Sequence, residues 1–477
     1  MERPNILWIC TDQQRFDTIE ALGNQHIRTP NLNKLVETGV AFLNAYCQSP
    51  ICTPSRASFL TGMYPSSVHG CMNGNDYWSG AAPLVTKLFS DSGYDCGLIG
   101  KLHLAGNYKR IEPRGDDGYR YFKWSPIPID LWKEGHDYAD WVRDKGYNLS
   151  DFIEPPKGDL VTLNDIKVLR GIPASLHQST WCAERAIEFI KEERTEPWLL
   201  SLNPFDPHPP FNPPEDYYNR FDPSTLPEPL FDESDLASQA KLENVDFQTK
   251  CCRPDMDNAL KIKAAYYAMI ELIDAMVGKV IASLKESGQY DNTVIIFTSD
   301  HGEALGDHGL LLKGCRFYDG LTRVPLIVSW PKVFKEGLRS TALIELTDLA
   351  PTLLGLCNID IPEKMQGKSA LKILTGEKGA DCHRDTVRCE YYRAVNPNWR
   401  PHMNGTYGNM IRDERYKLSI YHGKNIGELF DLYEDPNEFN NLWDDPKYNE
   451  VKYDLLIQCI DGMAFSVDVG PKQVVRW

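Results

Sequence analysis

Thr293-Val294-Ile295-Ile296-Phe297-Thr298-Ser299-Asp300-His301 sets an unbroken apolar run against an abrupt polar end. Large apolar side chains in succession, most of them β-branched, fit a strand buried on both faces rather than one alternating between core and water. A second run, Asn5 to Cys10, has the same character and the same kind of ending in Thr11, Asp12 and Gln13. Cys96 to Ile99, Trp198 to Leu202 and Val324 to Trp330 read as further strands of this type. Between them the best helical pattern covers Ala259 to Ser287, where Ile262, Tyr266, Met269, Ile273, Met276, Val280 and Leu284 repeat at helical spacing and Gly288 supplies the stop. That stripe is core. Strands alternating with helices predict an α/β fold, a mostly parallel central sheet flanked by helices. Active sites of such folds form at strand C-terminal ends, where Asp12 and Asp300 fall.

From about Thr386 the pattern changes to short pieces, Tyr416 to Tyr421, Glu428 to Leu432 and a closing helix near Asn449 to Gly462. The chain is therefore read as a catalytic unit over 1–385 and a smaller α+β unit over 386–477, with a short antiparallel sheet and a helix. Residues 104–180 scatter Pro, Gly, Trp and Tyr without periodicity, which suits an insertion near the cleft. Trp124, Trp132, Tyr138 and Trp141 within it are read first as local core and second as platforms for sugar rings.

The 477 residues carry 51 basic and 67 acidic side chains, a net charge of −16. Such a balance offers no footprint for nucleic acid or anionic membrane, so an anionic substrate must meet a locally positive pocket. No run approaches the roughly 20 apolar residues of a membrane span. Strand-like sequence begins at Asn5 without a signal-type segment, which predicts a cytoplasmic protein as the sequence stands, or a periplasmic or secreted one if a leader was removed. Thirteen cysteines without a CxxC pair predict buried thiols rather than a disulfide framework or a zinc finger. Oligomeric state is not encoded in any of these features.

Asp12 and Asp300 bring two carboxylates to one sheet edge, beside the Gln13 amide and the His301 imidazole. Oxygen donors suit a hard divalent cation such as calcium, magnesium or manganese, and His301 widens the choice toward manganese or zinc. The plainer alternative is that each aspartate caps a helix following its strand. A third element is S-P-I-C-T-P-S-R-A-S-F-L-T-G, Ser49 to Gly62. Pro54 suits the first turn of a helix running to Thr61, which puts Cys52 at the positive helix end and Arg56 one turn on. This is an anion site with a nucleophile in it.

On these residues the sequence resembles the formylglycine-dependent sulfatase family of the alkaline-phosphatase-like superfamily. The resemblance covers nearly the whole chain. It rests on CTPSRASFLTG at Cys52 to Gly62, joined in order by TDQQR at Thr11 to Arg15, GKLHL at Gly100 to Leu104, PHPPF at Pro207 to Phe211 and TSDHGEALGDHGLLLKG at Thr298 to Gly314. GELFDLYEDPNEFNNL at Gly427 to Leu442 looks like the family's C-terminal signature. The resemblance implies that a formylglycine-generating maturation enzyme converts Cys52, and that one hydroxyl of the aldehyde hydrate attacks sulfur. It further implies that Asp12, Gln13, Asp300, His301 and the modified Cys52 bind one divalent metal, calcium first, with manganese or magnesium as alternatives. Arg56 and Lys101 would hold the hydrate and His103 would take its proton, while His208 and Lys313 would face the sulfate and leaving oxygen. His308 is expected behind the ligands.

The implied activity is hydrolysis of a sulfate ester on a sulfated carbohydrate or small organic sulfate. Many members carry Asp where Gln13 stands and Asn where His301 stands. The pair found here also occurs in relatives that cleave phosphonate monoesters and phosphodiesters, which is the enzyme alternative, although the CTPSR core favours sulfate. A non-catalytic protein keeping the pocket for sulfated glycans is a third reading, disfavoured by the complete motif set. The acidic net charge disfavours long polyanionic chains as substrates.

Overall fold

The computed structural model describes residues 3–129, 132, 134–152, 161–168, 171–377, 382–396, 398, 403–470 and 474–475. Its main strands are β1 (Asn5–Thr11), β2 (Val40–Tyr46), β3 (Asp95–Gly100), β4 (Tyr121–Trp124), β5 (Trp198–Asn203), β6 (Thr293–Ser299), β7 (Arg323–Val324), β8 (Leu326–Ser329) and β9 (Leu338–Glu345). Four more, β10 (Val387–Tyr392), β11 (Tyr407–Arg412), β12 (Tyr416–Tyr421) and β13 (Ile426–Asp431), lie in the C-terminal part. The helices that matter below are α1 (Pro30–Thr38), α2 (Cys52–Thr61), α3 (Gln178–Lys191), α4 (Met256–Glu286) and α5 (Asn449–Phe465).

The two polar-ended runs are immediate neighbours. β1 pairs in parallel with β6, Thr11 opposite Ser299, so Asp12 and Asp300 leave the sheet side by side. Among the described residues the sheet has nine strands in the order β9-β2-β8-β6-β1-β5-β3-β4, with β7 beside the end of β2. Successive side chains of a strand point to opposite faces. Ile6, Trp8, Val294 and Ile296 accordingly enter one core layer, and Leu7, Ile9, Ile295 and Phe297 the other. The predicted stripe of α4 lies wholly in the second layer, with α1 and α3 alongside. Gly288, at φ +71, ends that helix in the left-handed conformation glycine adopts without strain.

One strand reading needs correction. Val324 to Trp330 is not a single parallel strand: Pro325 interrupts it into β7 and β8, which run antiparallel to β2 and, for β8, to β6 as well. Proline brings no N–H to a ladder, so the break falls where the sequence requires it. Trp124, Trp132 and Tyr138 are buried, and Trp141 packs half-buried against the second layer, so these aromatics are core. The parts of the 104–180 stretch at 130–131, 133, 153–160 and 169–170 lie outside the described residues.

β10 to β13 form an antiparallel meander covered by α5, around Ile411, Leu418, Leu429, Leu455 and Cys459. A buried ionic group joins it to the main sheet. Lys417 Nζ lies 2.7 Å from Asp319 Oδ1 and also pairs with Glu438, while the Tyr46 hydroxyl donates to Asp319 Oδ1 at 2.9 Å and accepts from Arg412. A second group sits just before β10, where Arg384 Nε donates to Asp348 Oδ2 at 2.8 Å and His383 Nε2 lies 3.0 Å from the same oxygen. All thirteen cysteines are free thiols and most are buried. Among the described residues no helix is long and apolar enough to cross a membrane.

Candidate active site

α2 begins at Cys52, with Pro54 in its first turn, and aims its N-terminus at the edge where β1 and β6 end. All ten of its residues are buried. Cys52 Sγ lies 3.7 Å from Asp12 Oδ1, 3.2 Å from His301 Nε2 and 2.9 Å from Lys313 Nζ. Arg56 sits between the carboxylates, donating from Nε to Asp300 Oδ2 at 2.9 Å and from Nη2 to Asp12 Oδ2 at 3.3 Å. Lys101, one residue past β3, pairs with Asp12 and reaches to 3.7 Å from Cys52 Sγ. Neither aspartate caps a helix. The next helical turns begin only at Glu20 and Asp307, and the carboxylate oxygens are turned instead to these cations and to the Gln13 and His301 amides.

Donor atoms of Asp12, Cys52, Asp300 and His301 lie within 4.8 Å of one another, fully buried, which makes a candidate metal site that includes Cys52. His301 Nδ1 lies 2.8 Å from the Gly302 carbonyl and donates to it, so Nε2 is the ring nitrogen that faces the other donors. The chain itself tests the fit of a cation here. Lys313 Nζ is 2.6 Å from Gln13 Oε1, 2.9 Å from Cys52 Sγ, 3.3 Å from His301 Nε2 and 3.9 Å from Asp12 Oδ1. A positive charge is thus already met by the donor set, and a divalent ion suits the same oxygens and nitrogen.

The electrostatics follow from burial working against this cluster of cations. Burial alone would raise Asp12, but Lys101, Lys313 and Arg56 hold it well below the usual carboxylate range. Burial and Asp12 push the Cys52 thiol up, and Lys101, Lys313 and His301 outweigh them, bringing it down to about 6. Burial, then the charges of Lys313 and Lys101, keep His208 neutral well below the ordinary histidine value. Its Nδ1 lies 2.7 Å from the Pro209 carbonyl and its ring stands 4.5 Å from Phe205. His103 is likewise pushed down, to about 3, by burial and Lys101.

Asp12, Gln13, Cys52, Arg56, Lys101, Asp300, His301 and Lys313 form one contact group. His103 and His208 stand beside it, and no direct hydrogen bond from either to Cys52 or the two aspartates occurs among the described residues. His308 is elsewhere: its Nδ1 lies 2.8 Å from Asp235 Oδ1, in the helix Glu233–Lys241, and its ring stacks on Tyr318 at 3.9 Å. Three supports escaped sequence reading. Glu303 accepts from Gln13 Nε2 and so turns Oε1 into the site, a role hinted at only by its place after His301. Asn203 donates to the Lys101 carbonyl at 2.9 Å, and Asn73 Oδ1 accepts the Thr53 amide at 3.1 Å, capping α2 from another loop. No spacing in the chain announces these.

A mostly parallel sheet with this cluster at its carboxyl edge defines a hydrolase of the alkaline-phosphatase-like class. A family model described as Sulfatase matches residues 4–359, and one described as N-sulphoglucosamine sulphohydrolase, C-terminal, matches residues 306–462. The chain belongs to the sulfatase family, and its class of reaction is sulfate ester hydrolysis. It is 32% identical to an arylsulfatase of Clostridium perfringens over 98% of this chain and 97% of that one. It is 29% identical to the multifunctional alkaline phosphatase superfamily protein PehA of Trinickia caryophylli, over 94% of this chain and 93% of that one. Among solved structures it resembles the phosphonate monoester hydrolase of Agrobacterium radiobacter with a TM-score of 0.81 and 25% identity, covering 98% of this chain and 96% of that one.

Proposed function

We propose that the protein hydrolyses the sulfate ester of a sulfated carbohydrate or small organic sulfate, using formylglycine derived from Cys52 and one calcium ion. The observation that carries this reading is the position of Cys52 Sγ, at a helix N-terminus and within 4 Å of Asp12, His301, Lys101 and Lys313. Sγ marks where formylglycine would carry its oxygens; once formed, that residue supplies a hydrate with two hydroxyls on one carbon. Asp12, Gln13, Asp300, His301 and the modified Cys52 would hold the metal, which supplies charge withdrawal from ester oxygens and acidifies a nearby hydroxyl.

The remaining roles belong to the chain's own side chains. Arg56 and Lys101 fix the nucleophile and counter the carboxylates behind it. Lys313 neutralises charge on the transferring group. Neutral His208, with Nδ1–H committed to Pro209, presents Nε2 as an acceptor, so Lys313 is the proton donor to the leaving oxygen until an anionic substrate raises His208. His103 accepts the proton released when the hydrate collapses. Conversion of Cys52 is testable by mass: the tryptic peptide Leu35 to Arg56 should be lighter by about 18 Da when the protein is made with a maturation enzyme. Cys52→Ala should abolish turnover of an aryl sulfate. Chelation should do so reversibly, with calcium restoring more activity than manganese or magnesium.

A second reading, phosphonate monoester or phosphodiester hydrolysis, draws on the Gln13 and His301 pair and on the likeness to PehA and the phosphonate monoester hydrolase. The same charged cradle suits a phosphoryl group. Offering both ester classes to the converted enzyme separates the two: faster cleavage of phosphodiesters than of every sulfate ester offered would overturn the sulfate reading.

A further inference from the structure

Glu112 belongs to none of the motifs above, and the residue is 2% exposed. Oε2 accepts the His103 amide at 3.0 Å and the Trp124 indole N–H at 3.2 Å, while Oε1 accepts the Leu104 amide at 2.7 Å and the Ala105 amide at 3.0 Å. Three consecutive backbone N–H groups converge on one acidic side chain, a strong charge-assisted arrangement. The residue where the chain turns to make this convergence is His103, at φ +57. A histidine holds left-handed backbone only where its surroundings over-determine it.

The side chain of His103 has no comparable restraint. Its Nδ1 is buried, and among the described residues no protein group hydrogen-bonds to it. Catalytic histidines are commonly oriented by a carboxylate at one ring nitrogen. Here the carboxylate acts on the backbone instead. The other end of the segment is fixed independently, since the Lys101 carbonyl accepts from Arg56 Nη1 at 3.0 Å and from Asn203.

We propose that Glu112 is the positioning residue of this site: by gathering the amides of His103, Leu104 and Ala105 against the Trp124 indole, it sets where the His103 imidazole stands relative to Lys101 and Cys52. The proposal rests on the reading of His103 as proton acceptor given above. Glu112→Ala leaves the same N–H groups pointing into a hole the size of a carboxylate, which a small carboxylate can refill.

The test uses the converted, metal-loaded enzyme and a chromogenic aryl sulfate. Glu112→Ala should lower kcat by about 100-fold, the scale of a misplaced catalytic group, with KM within about twofold. Formate should restore kcat saturably, and neutral formamide should not. In a His103→Ala background, adding Glu112→Ala should cause no further loss. Should Glu112→Ala fail to fold, Glu112→Gln, with half the acceptor capacity, should give the same drop in kcat. Unchanged kcat in Glu112→Ala beside a large loss in His103→Ala overturns this proposal and leaves the functional reading standing. A loss that formate does not restore, or that shows mainly in KM, also overturns it. Full activity in His103→Ala would instead remove the role of His103 and this proposal with it.

Discussion

Arg56 is 1% exposed and spans the two carboxylates that close β1 and β6, so it is at once a structural counter-ion and part of the reactive cluster. Arg56→Leu should cost about 3–5 kcal/mol, read from urea midpoints, because it takes the guanidinium from buried Asp300 and leaves Asp12 to Lys101 and Lys313. Arg56→Lys keeps a charge but not the planar fork that touches Asp12 and Asp300 together, so stability should partly return while kcat stays down about 100-fold or more. Lys313→Met should also lower kcat, by about 100- to 1,000-fold, since on the proposed reading it removes the cation that faces the transferring group. Asp12, Asp300, Cys52 and Arg56 were legible because polar residues that end apolar strands, and a proline in a helix's first turn, are local signals. Glu303, 290 residues from the Gln13 it turns, and Glu112, whose partners are three backbone amides and an indole, were not. A hydrogen bond closed by the fold has no counterpart in spacing.

β3 shows how an element delivers a side chain. Gly100, its last residue, has φ +98, and a Cβ there would run into the Asn203 carbonyl on β5. Gly100→Ala should therefore push β3 away from β5 and displace Lys101, lowering kcat well before it lowers the amount of folded protein; circular dichroism beside steady-state rates would show the split. Ile273, fully buried on α4, behaves the other way. Ile273→Ala should lose about 2–5 kcal/mol of stability while kcat per folded molecule stays within about twofold, because α4 supports the sheet from the layer away from α2. The strongly periodic α4 and the double-faced strands β1, β5 and β6 were readable as written. β2, β4 and β9 were not singled out: β2 and β4 mix polar or aromatic residues into short runs, and β9 alternates exposed and buried positions before a bulge. Their strand character comes from neighbours in the sheet, which pattern alone does not name.

At the scale of the molecule, the C-terminal meander is bound to the main sheet through buried charge. Burial raises Asp319, but Lys417, Arg412 and Arg323 hold it well below the usual carboxylate range; Arg384 and His383 do the same for Asp348. A carboxylate depressed by folding stabilises above its unfolded value and loses that contribution as pH falls through the folded one. Stability should accordingly be flat near neutrality and decline below about pH 4, the unfolded aspartate range, as measured by urea midpoints across that interval. Lys417→Met should cost about 3–5 kcal/mol at neutral pH by removing the buried cation that Asp319 and Glu438 share, and should flatten the acid decline.

The burial of α2 also sets a clock. Cys52 and every residue after it to Thr61 are packed away, and Cys52 itself is 1% exposed. On the proposed reading, a maturation enzyme has to take hold of this segment as extended chain, so conversion competes with folding and the window closes once the sheet assembles around the helix. Protein folded first and treated with the enzyme afterwards should keep its thiol, whereas protein treated during synthesis should not. The fraction of active molecules would then report how long the chain lingers unfolded, a quantity of its biosynthesis rather than of its finished structure.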